Sequence, residues 1–115
     1  MKTRVQFRLR VYRDEEIAIG PGKVALMEAI AATGSISAAA REMGMSYRRA
    51  WLLVDALNSA LKSPAVQTLT GGAHGGGTVL TPLGTELVRR YRAIEATASQ
   101  AAAAETEALA RMLAP

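Results

Sequence analysis

Gly34-Ser35-Ile36-Ser37-Ala38-Ala39-Ala40-Arg41-Glu42-Met43-Gly44-Met45-Ser46-Tyr47-Arg48-Arg49-Ala50-Trp51 reads as two short helices joined by a tight turn. Ser35 or Ser37 is suited to cap the first helix, by accepting a bond from a backbone N–H that the helix leaves unpaired. Ile36, Ala39, Ala40 and Met43 recur at helical spacing and give it one apolar face. Gly44 supplies the stop, since a residue without Cβ turns there at little cost. Met45 is placed to plug the corner and Ser46 to cap the next helix. The small side chains at Ala38, Ala39 and Ala40 let two helices cross steeply at close backbone approach. These features predict a helix-turn-helix, an arrangement whose second helix enters the DNA major groove.

Working outward, the second motif helix is expected from Tyr47 to about Leu61, with Ala50, Val54, Leu57 and Leu61 on one face before Pro64. On the N-terminal side, Val5, Phe7, Leu9 and Val11 alternate with Gln6, Arg8, Arg10 and Tyr12, as in a half-buried strand. Asp14-Glu15-Glu16 then predicts a turn and Ile17-Ala18-Ile19 a short returning strand. Gly20-Pro21-Gly22 breaks the chain before a helix from about Lys23 to Thr33, with Leu26, Met27 and Ile30 inward and Gly34 as its stop. On the C-terminal side, Val66–Thr70 and Thr78-Val79-Leu80 flank the glycine-rich Gly71–Gly77. This is a hairpin, or wing.

Thr81-Pro82 restarts helix with a cap and a proline at the first helical position. The alanine-rich stretch that follows predicts one helix to about Met112, roughly 30 residues and ~45 Å long. Leu87, Tyr91, Ile94, Ala98, Leu109 and Met112 form its apolar stripe, too long for a small domain to cover, so a second copy is the simplest partner. The expected division is a DNA-binding head at residues 1–82 and a dimerisation helix at 83–115. The expected fold class is mainly α with small β (α+β): a winged helix-turn-helix followed by a long C-terminal helix.

Bulk composition narrows the function. The 115 residues suit one domain with an extension, and 50% are apolar, which excludes a disordered tail. There is no cysteine and one histidine, His74, so thiolate chemistry, zinc sites and histidine triads have nothing to build on. No catalytic set, metal site or cofactor is expected, and an enzyme is disfavoured. No apolar run reaches the roughly 18 residues of a membrane span, and the start lacks a secretory pattern, which points to a cytoplasmic protein with no membrane partner. Net charge is +4, with 13 basic and 7 acidic residues in 1–92 against 1 and 3 in 93–115. The positive excess therefore sits in the head, as expected for a phosphate-binding surface.

Candidate DNA contacts follow from position. Tyr47, Arg48, Arg49, Trp51 and Leu52 lie on the opening turns of the second motif helix, where base edges are approached. Arginine can bond guanine in a fork, and tyrosine or an apolar group can touch a thymine methyl. Ser35 and Ser46 are caps whose helix ends can also receive phosphate, and Ser37 is a candidate backbone contact. Gly71–Gly77 lacks the Gly-Lys-Ser/Thr ending of a nucleotide loop and lies between strands, so a wing tip fits better, with His74 and Gly75 as contacts. Arg4, Arg8, Arg10 and Arg13 form a basic strand face read as solvated surface, as are Arg89, Arg90 and Arg92, with Glu86 pairing to Arg90.

Taken together, Gly34-Ser35-Ile36-Ser37, Ala39-Ala40, Met45-Ser46-Tyr47-Arg48, Ala50-Trp51, Thr70-Gly71-Gly72, Gly75-Gly76-Gly77, Leu80-Thr81 and Gly84 resemble the DNA-binding domain of the ModE family of molybdate-responsive transcriptional regulators. The helix-turn-helix part alone also resembles LysR-type regulators. The resemblance covers about residues 5–95. It implies a winged helix-turn-helix, homodimerisation and binding to double-stranded DNA at a palindromic operator of molybdenum transport or metabolism genes. Full-length members carry β-barrel modules for molybdate or tungstate after the long helix, and the chain to Pro115 leaves no room for them, so oxyanion sensing is not an expectation. A separate oxyanion-sensing protein or a full-length regulator is a further candidate partner. The alternative is an interaction module that heterodimerises with a full-length regulator and does not bind DNA by itself.

Overall fold

A computed structural model describes residues 2–69 and 77–115. The elements run β1 (Val11–Arg13), β2 (Glu16–Ile19), α1 (Pro21–Thr33), α2 (Ile36–Glu42), α3 (Tyr47–Ala60), β3 (Val66–Leu69), β4 (Gly77–Leu80), α4 (Pro82–Ala101) and α5 (Ala103–Arg111). Two antiparallel two-stranded sheets flank the helices: β1 with β2, and β3 with β4 in the register Val66 to Leu80 and Leu69 to Gly77. The architecture is the expected α+β winged helix-turn-helix.

The core forms where apolar stripes of α1, α2 and α3 meet. Leu26, Met27 and Ile30 of α1 pack with Ile36, Ala39 and Ala40 of α2 and with Ala50, Val54 and Leu57 of α3. Burying each of the larger side chains stabilises the fold by about 1.5–3 kcal/mol. Val24 is also fully buried, although the sequence stripe did not include it. The alanines do what their size predicts, letting α2 sit close against its neighbours, and Met45 fills the corner beside them.

Helix ends follow the local chemistry. Ser35 accepts from Ala38 N, Ser46 from Arg49 N and Thr81 from Gly84 N, each at 3.1 Å. Ser35 rather than Ser37 is therefore the cap of α2. Gly44 takes φ 67°, the left-handed turn between the motif helices that a side chain would strain. Helix α1 begins at Pro21, two residues before Lys23, because proline at a first helical position loses no bond.

The wing is tied to the head at both roots. The Asn58 side chain accepts from Ala65 N and Val66 N and donates to Val66 O, bridging the end of α3 to β3. Thr78 N donates to Gly34 O, which joins β4 to the corner between α1 and α2. At the root of α4, a Cβ on Gly84 would lie 2.1 Å from Ala65 O, so only glycine permits this approach.

Two expectations fail. The alternating segment before Val11 is not a strand, and β1 is only three residues long. Residues Thr3, Arg4 and Val5 instead line a groove with Thr106, Leu109, Ala110 and Leu113 of the C-terminal segment, and Leu9 O accepts from the Tyr91 hydroxyl at 2.7 Å. Backbone that lies against helices has no strand beside it with which to form a ladder. The predicted single C-terminal helix is two helices, broken at Ala102, which sits at φ −97°, ψ 6°. No glycine or proline marks the break. The bonds Ala102 N to Ala98 O and Thr106 N to Ala102 O persist across it, so the break is a local distortion of the backbone.

Candidate nucleic-acid interface

Helix α3 presents three longitudinal strips. Ala50, Val54 and Leu57 face the core. Tyr47 and Trp51, one turn apart, flank the wing side, and Arg48, Arg49 and Leu52 occupy the surface on the other side. Tyr47, Trp51 and Leu52 are 55%, 48% and 46% exposed. Large side chains left uncovered at the start of a capped, rigidly held helix form a surface with contact still to make.

That surface continues into a cleft of about 350 Å³ between α2, α3 and the wing, lined by Ser35, Ser37, Tyr47, Trp51, Thr68, Leu69 and Thr78 among others. Four of the predicted contacts, Ser35, Ser37, Tyr47 and Trp51, therefore meet on one concave face. Arg48, Arg49, Leu52 and Ser46 line a separate hollow of about 280 Å³ around the helix. Every predicted residue of the opening turns is solvent-facing, and Trp51 stays about half exposed beside β3. Arg48 and Arg49 form no ion pair among the described residues. His74 and Gly75 lie outside the described residues.

The sequence reading missed Thr68 and Leu69. Val66 is buried and the three residues after it are exposed, so strand alternation, which would set Thr68 and Leu69 on opposite faces, carried no signal for both.

Elsewhere the charge pattern differs from a uniformly solvated face. Glu86 bridges both Arg89 and Arg90, at 2.7 and 2.6 Å, where only Arg90 was expected. Hydrogen bonds from the Arg89 and Arg90 guanidiniums hold the Glu86 carboxyl down at about 2. Arg92 instead reaches across to Glu28 of α1 and along α4 to Glu95. Its hydrogen bonds to Glu28 lower that carboxyl below the usual carboxylate range.

The stripe expected to meet a partner divides into two. Leu87 packs against the head's core, and Tyr91 is 3% exposed with its hydroxyl bonded to Leu9 O. Both are therefore occupied within the chain, because α4 lies against α1 and the N-terminal segment. Ile94, Leu109 and Met112 remain uncovered, with Ala98 half-buried.

Among the described residues no group of three or more potential metal ligands occurs, and no helix is long and apolar enough to cross a membrane.

Comparison with known proteins agrees with this geometry. Residues 22–85 match the family of bacterial regulatory helix-turn-helix proteins, lysR family. The chain is 55% identical over 78 residues to the molybdenum-pterin-binding protein MopB of Rhodobacter capsulatus, covering 68% of this chain and 29% of that protein. It is 39% identical over 93 residues to the molybdenum transport protein ModE of Azotobacter vinelandii, covering 81% and 34%. It is 36% identical over 77 residues to the DNA-binding transcriptional dual regulator ModE of Escherichia coli K12, covering 67% and 29%. The chain thus spans about a third of the length of these relatives. In fold it is similar to ArgP from Mycobacterium tuberculosis, with a TM-score of 0.50 and 24% identity over 80% of this chain and 30% of that one. The match spans all three helices of the core, the wing and the root of α4, and the chain belongs to the lysR-type family of bacterial regulatory helix-turn-helix proteins.

Proposed function

We propose that this chain is a sequence-specific transcriptional regulator that binds a palindromic operator as a homodimer and represses or otherwise controls genes of molybdenum transport or metabolism. The observation that carries the reading is the uncovered edge of α3: Tyr47, Arg48, Arg49, Trp51 and Leu52 all face solvent on a helix capped by Ser46 and braced from behind by the core. Arg48 is the candidate for forked bonds to guanine, while Tyr47 and Trp51 offer apolar surface to thymine methyls. The N-termini of α2 and α3, with Ser37, would hold the phosphate backbone. Ile94, Ala98, Leu109 and Met112 supply the surface for a second copy, and two recognition helices related by a two-fold axis would read half-sites ~34 Å apart or a multiple of that. The molybdenum connection rests on the names of the relatives.

Selection of bound sequences from a random duplex pool, with and without molybdate, tests the proposal. Recovery of a palindrome supports it, and the molybdate arm shows whether the anion acts through this chain. A pool without enrichment, or enrichment of a single half-site only, contradicts the dimeric operator.

A further inference from the structure

Helix α4 is seated on the head at its root, by the packing of Leu87 and Tyr91, and by one ion pair beyond them. At its root, Gly84 lies against Ala65, while Thr81 N donates to Ala65 O and the Thr81 hydroxyl to Pro64 O. About two turns further along, Arg92 crosses to α1, where its Nε and Nη2 donate to the two carboxylate oxygens of Glu28. Its Nη1 donates to Glu95, and its guanidinium stands 5.6 Å from the centre of the Tyr91 ring. Among the described residues, the other ion pairs all lie within α4, so Glu28–Arg92 is the one that joins two elements.

Leu87 and Tyr91 seat α4 on the head, and an oriented bond beyond them limits the tilt that apolar packing, which is non-directional, leaves open. With 20 residues, α4 is ~30 Å long. A tilt of ~10° would displace its far end by ~5 Å, more than the ~3.4 Å between successive bases of a strand. A pair that is 42% and 40% exposed adds little stability. Its forked geometry constrains angle more than it contributes energy.

We propose that the Glu28–Arg92 pair is a positioning element that sets the angle between α4 and the reading head, and thereby the half-site separation the homodimer accepts. This inference rests on the dimeric DNA-binding reading. Neither side chain lies on the face proposed to touch DNA, so their loss acts on separation and leaves recognition of one half-site intact.

The test measures binding to duplexes carrying two copies of the selected half-site at varied separations, beside a duplex carrying one copy. Glu28→Gln, which keeps the side chain's shape, should lower the preference for the favoured separation by about three- to fivefold. Single-half-site affinity and melting temperature should stay at the unsubstituted values. Glu28→Lys should broaden the profile further, and adding Arg92→Glu with Glu95→Gln, which reverses the bridge without crowding carboxylates, should restore a sharp preference. An unchanged separation profile in both Glu28 variants overturns the inference and leaves the dimeric reading standing. Binding without any dependence on separation in the unsubstituted chain overturns that reading, and the inference with it.

Discussion

Helix α3 and the α4–α5 rod both carry an apolar stripe, yet only the first is bounded by local signals. Helix α3 starts at a serine cap, follows a glycine turn and stops four residues before Pro64, so local chemistry and core packing agree. The rod breaks at Ala102, inside the run Ala101-Ala102-Ala103-Ala104, where every residue is an excellent helix former and Ala102 offers no side-chain cap. No local signal marks that break, and the segment beyond it shares a groove with Thr3, Arg4 and Val5. The head is specified residue by residue along the chain. The rod's break has no such local mark.

Substitutions that strike the two regions separately should show that contrast. The largest effect is expected where the rod is rooted on the head: Gly84→Ala drives a methyl into Ala65 O and should cost about 3 kcal/mol or more in urea unfolding. A cost below about 1 kcal/mol would mean that α4 is not closely seated on the wing root. Ser46→Ala removes the bond to Arg49 N and should cost about 1 kcal/mol by the same measurement, whereas Ser37→Ala, which removes no cap, should be near neutral. In the rod, Leu109→Asp changes a 63% exposed side chain and should shift the stability of the single chain by no more than about 0.5 kcal/mol. It should nevertheless abolish self-association in sedimentation, and a dimer that persists would place the interface elsewhere.

The smallest effect is electrostatic. The Glu86 carboxyl is depressed from 4.5 to about 2, so its ion pairs contribute fully above the ordinary carboxylate value and are lost as pH falls towards about 2. Thermal melts of the unsubstituted chain and Glu86→Gln should therefore converge across that window, by a small amount because these side chains are exposed.

Much of the head was legible because its signals are local. Caps at Ser35, Ser46 and Thr81, the stop at Gly44, and the spacing of Ala50, Val54 and Leu57 each act within a turn or two. The exposure of the Tyr47–Leu52 edge was legible for the same reason, since positions between core residues on a capped helix must point outward. The N-terminal alternation of Val5, Phe7, Leu9 and Val11 misled because period two shows strand-like sidedness and cannot show whether a pairing strand is available. Tyr91 and Leu87 share one helix face with Ile94 and Ala98, and only the docking of α4 on α1 and on Leu9 shows which of the four the head already covers. Arg92 looked like a solvated charge because its partner Glu28 is 64 residues away.

The central claim, that the opening turns of α3 are the DNA-reading edge, is most directly tested by fluorescence anisotropy of the selected duplex across salt concentrations, with the unsubstituted chain and Arg48→Ala. Affinity should fall steeply with salt, with a logarithmic slope near −0.9 for each phosphate contacted. Arg48→Ala should lose about 1–3 kcal/mol of specific binding at an unchanged melting temperature. Binding indifferent both to salt and to the loss of Arg48 would contradict the account.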